Sequence, residues 1–207
     1  MSPRQYEMGR RKAAVDETRA RIIRATRDLL VDDGVVAVDA IARRADVSRA
    51  TVYYQFGTKT GLLEALCDDL AARGRIEHIA EAFARPGPRD ALAGFVRAMA
   101  GFWGADRACI RRLHGLAALD AEVGQVIAAR DERRRMGAEV LAQRLAGGTG
   151  HRRLGVLIFT LTGFAVFDSL AEDGETADAV PTVLGLLDAA IAGGPVDRRM
   201  PPETAGS

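Results

Sequence analysis

The sequence predicts an all-α fold, with a small N-terminal helical domain and a larger C-terminal helical domain. Ala, Leu, Arg and Glu dominate the chain, and apolar residues make up 48% of its 207 residues. These apolar residues recur at helical spacing. The seven prolines lie mostly between or outside the periodic segments, where they bound helices. A chain of this length can bury a substantial core.

The first predicted helix lies within "DETRARIIRATRDLLVDDG". Asp16 or Thr18 can cap its start, and Gly34 follows its end. Its apolar stripe comprises Ile22, Ile23, Thr26, Leu29 and Leu30. Residues 1–15, which include Arg10, Arg11 and Lys12, are expected to form a flexible basic tail.

A short second helix is predicted in "VDAIARRADV", and a third runs from its N-cap Ser48 to about Tyr54. The residues between them allow only a tight turn, so the two helices form a helix-turn-helix unit. An ordinary helical hairpin with solvated arginines is the alternative. The second helix of a helix-turn-helix enters the DNA major groove, and its outward residues must contact bases or phosphates. The candidates for DNA contact are Arg43, Arg44, Ser48, Arg49, Ala50, Thr51, Tyr53, Tyr54 and Lys59.

Charge is distributed unevenly along the chain. Residues 1–60 contain twelve Lys or Arg and eight Asp or Glu, a net charge of +4, whereas residues 61–207 carry −3. The basic part coincides with the helix-turn-helix. A polyanionic partner for the N-terminal part is therefore plausible on electrostatic grounds.

From Thr18 to about Leu66 the chain resembles the N-terminal domain of the TetR (tetracycline-repressor-like) family of bacterial transcriptional regulators. The run "VSRATVYYQF" followed by Lys59 carries the resemblance. Further matching positions are Ile22, Ala25, Gly34, Ile41, Ala42, Ala45, Leu62 and Leu63. The resemblance implies that Arg49, Ala50 and Thr51 face bases, that Tyr53, Tyr54 and Lys59 hold phosphates, and that Phe56 packs beneath the unit.

Three departures from the family pattern bear on DNA contact. The stretch from Gly34 to Ile41 is about two residues shorter than usual. Asp39 stands where the family commonly has Ser or Thr, and its carboxylate would repel phosphates unless Arg43 or Arg44 neutralises it. Asp46 replaces the usual turn glycine, but Asp tolerates a left-handed backbone better than most residues.

The C-terminal domain, residues 61–194, begins with a fourth helix in "KTGLLEALCDDLAARG" and continues through further helices bounded by Gly, Pro or Asp. The DNA-binding domain covers residues 16–60, and residues 195–207 are expected to form a disordered tail. The family resemblance implies a ligand pocket among the middle helices. The apolar and aromatic residues available there favour a small, largely apolar effector. Its candidate lining residues are Phe95, Met99, Phe102, Trp103, His114 and Phe159. Core packing is the alternative for each apolar residue, and a backbone hydrogen bond is the alternative for His114.

The last helices are predicted to form a homodimer interface. "LGVLIFTLTGFAVFDSL" is apolar on more than one face, so one side can pack within the subunit and another against a two-fold mate in a four-helix bundle. The candidate interface residues are Leu157, Leu161, Phe164, Leu184, Leu187 and Ile191.

Other functional classes find less support in the sequence. Cys67 and Cys109 match no metal-ligand spacing and are expected to be buried thiols in a reducing compartment. No catalytic constellation is evident, so an enzyme, a cofactor and a bound metal are not predicted. The N-terminus lacks an apolar signal core, and the longest uncharged run, 154–167, is too short to span a bilayer, so a cytoplasmic protein is expected.

A ligand-responsive dimeric repressor of a palindromic operator is favoured. The alternative is an interaction or carrier protein whose helix-turn-helix has lost operator reading.

Overall fold

The computed structural model describes the backbone of residues 3–146 and 150–193, and the side chains of these residues from Lys12 onward. Within these ranges the chain forms eleven α-helices, one short 3-10 helix and no strand, which confirms the all-α prediction. The expected disordered tail, 195–207, and the side chains of Arg10 and Arg11 lie outside the described residues. The α-helices are α1 (Pro3–Asp33), α2 (Val38–Arg44), α3 (Arg49–Phe56), α4 (Lys59–Arg73), α5 (His78–Ala84), α6 (Pro88–Ala105), α7 (Arg107–Leu116), α8 (Ala121–Ala146), α9 (His151–Leu161), α10 (Phe164–Ala171) and α11 (Val180–Ala192).

Helix α1 begins at Pro3, so the backbone of residues 3–15, most of the segment expected to be a flexible basic tail, is helical. Proline is tolerated in a first helical turn, because the N–H that it lacks would have no intrahelical partner there. Between Arg10 and Arg21 the residues are mostly good helix formers, and no proline or glycine interrupts them. No residue between Arg10 and Arg21 therefore interrupts the helix at its predicted caps, Asp16 and Thr18.

The first three helices and the start of α4 enclose the core of the helix-turn-helix domain. Fully buried apolar side chains from each helix meet there, namely Ile22, Leu30, Ile41, Val52 and Leu62. The turn after α2 places Asp46 in the left-handed region, at φ 51°. The next amide, that of Val47, donates to the carbonyl of Ala42 over 3.0 Å. Asp46 therefore adopts the left-handed turn conformation that is usual for glycine at a helix end, as the sequence predicts.

Helix α6 forms the centre of the C-terminal domain. Nine of its residues are buried, among them Phe95, Val96 and Trp103. Helices α4, α8 and α11 pack against it. The short helix α5, which was not predicted as a separate element, packs closely on α6. A Cβ at Gly94 of α6 would lie only 2.8 Å from the Cβ of Ala82 of α5. Glycine at position 94 is what allows this contact.

The apolar segment 151–171 is two helices rather than one. A break at Thr162 and Gly163 separates α9 from α10, with a bend of 51°. Arg134 of α8 fills the break, since its guanidinium donates to the carbonyl of Phe159 and pairs with Asp131 at 3.0 Å. A run of three arginines beside acidic residues, as at 131–135, is typical of a solvated helix face, but the Arg134 side chain is only 10% exposed. Its role in the break explains its burial.

No single helix of the described residues is long and apolar enough to cross a membrane. Helices α9 and α10 would reach the required length and apolar content only if taken together, across their bend.

Candidate DNA-binding surface and effector cavity

Helix α3 presents its polar face to solvent and its apolar face to the core. The Ser48 hydroxyl accepts a hydrogen bond of 3.0 Å from the amide of Thr51, and it lies 2.8 Å from the Thr51 hydroxyl. Val52 is 2% exposed, whereas Tyr54 is 83% exposed. Arg49 and Ala50 are exposed as well. The N-terminal half of α3, which is the half that reads base edges in helix-turn-helix proteins, therefore carries accessible hydrogen-bonding groups.

Arg49 forms an ion pair with Asp39, whereas Arg43 or Arg44 was expected to neutralise this carboxylate. The Arg49 guanidinium lies 3.3 Å from the Asp39 carboxylate, and both side chains are about 60% exposed. It also lies over the Tyr53 ring, 5.6 Å from the ring centroid. Arg44 instead pairs with Asp32 at 3.2 Å. Exposed pairs of this kind contribute about 0–1 kcal/mol, so a DNA base or phosphate can compete for Arg49.

Lys59 contacts the C-terminal domain, although the family resemblance implies that it holds a phosphate. Its ammonium lies 2.5 Å from Asp120 and 3.3 Å from Glu122 at the start of α8. Partial burial opposes its charge, but the hydrogen bonds to the two carboxylates outweigh that effect and raise the pKa of Lys59. The hydrogen bond with Lys59 in turn lowers the pKa of Asp120. Lys59 therefore joins the two domains.

Three arginines of α1 hold the helix-turn-helix in position, and the sequence analysis did not identify them. Arg19 donates to the carbonyl of Gln55 over 2.8 Å and stacks on Phe56. Arg21 donates to the carbonyl of Ala45 over 2.9 Å. Arg27 forms a two-pronged contact with the buried carboxylate of Asp106, which also caps α7. These bonds span 24 to 79 positions in sequence, so no local pattern could indicate them.

A small apolar cavity lies between α4, α6, α7 and α8. Its volume is about 40 Å³, and its lining includes Phe102, Trp103 and His114, three of the six predicted ligand residues. The other lining residues are Cys67, Leu70, Ile110, Leu113, Ile127, Arg130 and Asp131. The Nε of Arg130 is buried and has no hydrogen-bond partner among the described residues. The cavity thus combines an apolar wall with one unsatisfied donor.

The other three predicted ligand residues lie elsewhere. Phe95 and Met99 are buried in the core, where Phe95 meets the Phe83 ring edge-on. Phe159 is covered by the guanidinium groups of Arg134 and Arg135, 3.9 and 4.0 Å from its ring centroid. Aromatic character does not distinguish a core residue from a lining residue, because both kinds of position favour large apolar side chains.

His114 lies between two aromatic rings at the edge of this cavity. Its imidazole stacks on Phe164 at 5.1 Å and meets the Trp103 ring edge-on at 5.9 Å. Burial disfavours the imidazolium and lowers the pKa of His114. Burial therefore favours the neutral form of the ring.

Acidification is expected to destabilise the protein through His114. Because its pKa is lower in the folded state, the unfolded chain takes up the proton first, and stability falls as pH drops below the usual value of about 6.5. The loss is at most about 1.4 kcal/mol per pH unit until the folded-state pKa is reached. Chemical denaturation at pH 7.5 and 5.5 should show a smaller loss for His114→Gln than for wild type. The half-exposed His78 provides the control, and an equal loss for His114→Gln and His78→Gln would contradict this assignment.

The predicted interface residues divide into two groups. Leu187 and Phe164 are buried within the subunit and thus belong to its core. Leu157, Leu161, Leu184 and Ile191 are half-buried. Large apolar residues that the sequence analysis did not select are exposed nearby, namely Val156 on α9, Leu170 on α10 and Leu186 on α11. A helix that is apolar all round gives no sequence signal for which face turns inward.

Comparisons with known proteins agree with this architecture. Residues 22–66 match the family model described as bacterial regulatory proteins of the tetR family. Over 62 residues the chain is 44% identical to the HTH-type transcriptional regulator SrpR of Pseudomonas putida and 44% identical to the uncharacterized HTH-type transcriptional regulator TtgW of the same species. Each of these matches covers 28% of the chain, and they span 29% and 46% of the lengths of the two relatives.

The likeness to solved structures extends over most of the chain. The crystal structure of a TetR-like transcriptional regulator from Rhodococcus sp. RHA1 superposes with a TM-score of 0.64 and 27% identity, covering 85% of this chain and 96% of that one. Residues 22–66 are therefore similar to the bacterial regulatory proteins of the tetR family, and the helical architecture of most of the chain is similar to that of a TetR-like transcriptional regulator.

Proposed function

We propose that the protein is a homodimeric transcriptional repressor that binds a palindromic operator and is released from it by a small, largely apolar effector. The single observation that carries the proposal is the face of α3, where Arg49, Ala50 and Tyr54 are solvent-accessible while Val52 anchors the helix to the core. Such a face can enter the major groove without any rearrangement of the domain. The net charge of +4 on residues 1–60 supports the same partner.

Operator binding is tested with the DNA upstream of the protein's own gene. The labelled fragment should be retained in the presence of excess nonspecific duplex, and protection from cleavage should reveal a palindrome. Retention that disappears with the competitor would instead favour the alternative, an interaction or carrier protein without operator reading. The Asp39–Arg49 pair is the observation that keeps this alternative open, since it engages a base-reading residue.

The exposed apolar residues of the last helices support the proposed dimer. Val156 of α9 and Leu186 of α11 are 51% and 49% exposed, and these two helices pack against each other. Large apolar side chains exposed on neighbouring helices are typical of protein–protein interfaces. A second copy of the chain would cover these side chains as a four-helix bundle and would set the two α3 helices about 34–36 Å apart, one turn of DNA.

The effector is assigned to the cavity beside Trp103 and His114. At about 40 Å³ the cavity is far smaller than typical ligand sites of about 300–1,000 Å³, so a ligand must select a conformation in which α4, α6, α7 and α8 move apart. Helix α4 also carries Lys59, so this expansion moves the DNA-binding domain. A tenfold loss of operator affinity requires only about 1.4 kcal/mol of preference for the expanded state.

Trp103 should report on effector binding, because it is the only tryptophan in the sequence and lines the cavity. A small apolar effector is expected to change Trp103 emission and to release operator DNA over the same concentration range. Cys67→Leu, which fills the cavity, should blunt both responses and leave operator binding intact. Effectors that release DNA from this variant as they do from wild type, without a change in emission, would place the effector site elsewhere.

The contact of Lys59 with Asp120 should oppose DNA binding. Asp120→Asn removes the charge but retains the oxygen that accepts the amides of Glu122 and Val123, so the start of α8 stays capped. Lys59, then paired only with Glu122 at 3.3 Å, can reach a phosphate more readily, and the gain is at most about 1 kcal/mol, or roughly fivefold in affinity. The salt dependence of binding should steepen by about 0.9 in log–log slope.

A double-mutant cycle separates this effect from a general change in charge. In a Lys59→Ala background, Asp120→Asn should leave operator affinity nearly unchanged. The same gain of affinity with and without Lys59 would show that Asp120 acts on DNA directly.

A further inference from the structure

A second and larger cleft lies on the other side of α6 from the apolar cavity. Its volume is about 490 Å³, within the range of small-molecule sites. The end of α4, the outer face of α6 and the segment 174–177 form its walls. None of its lining residues is shared with the apolar cavity. It is therefore a separate site candidate.

The floor of the cleft is built from small residues. Ala98, Gly101, Gly104 and Ala105 of α6 face Gly74 and Ala177. A Cβ at Gly101 would meet only the carbonyl oxygen of Gly74, at 3.9 Å. A ligand can therefore approach the backbone of α6 closely.

The rim of the cleft is strongly basic. Four arginines and His78 line it, against a single carboxylate, Glu175. That carboxylate is already engaged in capping the 3-10 helix at 176–179. The four arginines are Arg73, Arg75, Arg97 and Arg107. Arg73 is already paired with Asp69 at 2.7 Å. An anion in the cleft would thus meet guanidinium groups of the remaining arginines and no uncommitted carboxylate of the lining.

The four arginines differ in whether their guanidinium groups are free to bind a ligand. Arg107 is committed to the wall, because it contacts the Asp168 carboxylate and the carbonyls of Glu172 and Gly174. Arg75 is only loosely paired, at 3.8 Å from Glu77. Arg97 is exposed, and no ion pair or hydrogen bond of its side chain occurs among the described residues. Arg75 and Arg97 are therefore open to a ligand.

Arg75 occupies a backbone conformation that favours glycine. It follows the end of α4 with φ 52°, and the amide of Ile76 donates to the carbonyl of Ala71 over 3.0 Å. Glycine is the usual residue at such a helix end, because a Cβ is unfavourable there. An arginine held at this position against its backbone preference indicates a use for its side chain.

We propose that this cleft binds a small organic anion bearing phosphate or carboxylate groups, held chiefly by Arg75 and Arg97. Guanidinium groups bind both oxyanions through paired hydrogen bonds. The site adjoins the C-terminal end of α4, whose other end carries Lys59, so an anion there acts on the same connecting helix as the apolar cavity does. The proposal goes beyond the apolar effector, and its test requires no DNA.

Isothermal titration calorimetry of the full chain at low ionic strength, with citrate and with inorganic pyrophosphate as separate probes, tests the site. We expect saturable binding of at least one probe with one site per chain. Binding of citrate alone assigns the site to carboxylates, and binding of pyrophosphate alone assigns it to phosphates. The absence of saturable binding of both probes at millimolar concentration overturns the proposal.

Variants locate the bound anion. Arg97→Gln and Arg75→Gly should each weaken binding at least tenfold, and Arg75→Gly should leave the melting temperature equal or higher, since glycine suits φ 52°. Gly101→Leu should block the cleft without loss of folding, because a Cβ there would meet only the carbonyl oxygen of Gly74, at 3.9 Å. Arg152→Gln, at an exposed arginine of α9 outside the cleft, is the matched control and should bind as wild type. Wild-type affinity in both Arg75→Gly and Arg97→Gln, or loss of binding in Arg49→Gln, would place the anion elsewhere and refute the proposal.

Discussion

Replacing both Arg49 and Thr51 by alanine is expected to abolish sequence-specific operator binding while leaving the fold intact. Each lost base contact costs about 1–3 kcal/mol, so the double variant should lose about 2–6 kcal/mol, or roughly 30-fold to 10⁴-fold, in affinity for the operator. The cap of α3 survives, because the Ser48 hydroxyl accepts from the backbone amide of residue 51. Neither side chain belongs to the buried core.

The measurement is fluorescence anisotropy on the operator and on a scrambled duplex at one salt concentration. The Arg49/Thr51 double variant should bind both duplexes with similar, weak affinity. Arg44→Ala, at an exposed arginine beside the unit, is the control and should weaken both duplexes alike if it holds a phosphate. Unchanged discrimination between the two duplexes in the double variant would remove α3 from base reading.

Aspartate at two neighbouring positions of α11 is expected to affect different properties of the protein. At position 187 it should prevent folding, and at position 186 it should prevent dimerisation. Leu187 is fully buried within the subunit, so Leu187→Asp places an unpaired charge in the core and costs several kcal/mol of folding free energy. Leu186 is 49% exposed, so Leu186→Asp should leave the subunit folded. If this face forms the dimer, two-fold symmetry brings the substitution into the interface twice and dissociates it.

Sedimentation velocity and circular dichroism separate the two outcomes. Leu186→Asp combined with Val156→Asp should give a helical monomer, and Leu187→Asp should give an unfolded or aggregated chain. Asp188→Asn, at an exposed neighbour that pairs with Arg89, serves as the control and should remain a dimer. A dimer that survives the Val156/Leu186 double substitution would refute this interface, whatever the behaviour of Leu187→Asp.

Several features of the N-terminal domain could be predicted from the sequence because their causes are local. Ser48 caps α3 through a bond to a residue three positions away, and Asp46 adopts the left-handed turn that the short connection requires. Val52 is buried, as the helical period demands. Patterns over three to five residues were therefore sufficient to predict the helix-turn-helix and which of its residues face solvent.

In the C-terminal domain the same kind of pattern was insufficient. The helices there are apolar on more than one side, so periodicity could not show that Phe164 and Leu187 face the subunit core while Val156 and Leu186 face solvent. Phe95 and Phe159 were indistinguishable from Phe102 as cavity residues for the same reason. Which face is covered depends on the neighbouring helices, and that information is absent from any single segment.

The sequence by itself determined the all-α class, the helix-turn-helix and the chemistry available on α3. Only the tertiary structure decided which charged side chains form ion pairs. Lys59 pairs with Asp120, which is 61 positions away in the sequence, and Arg27 pairs with Asp106, which is 79 positions away. It also decided that Arg75 and Arg97 share a cleft. Helix formation and capping depend on neighbours within a turn or two, whereas ion pairs and cavities depend on which distant segments pack together.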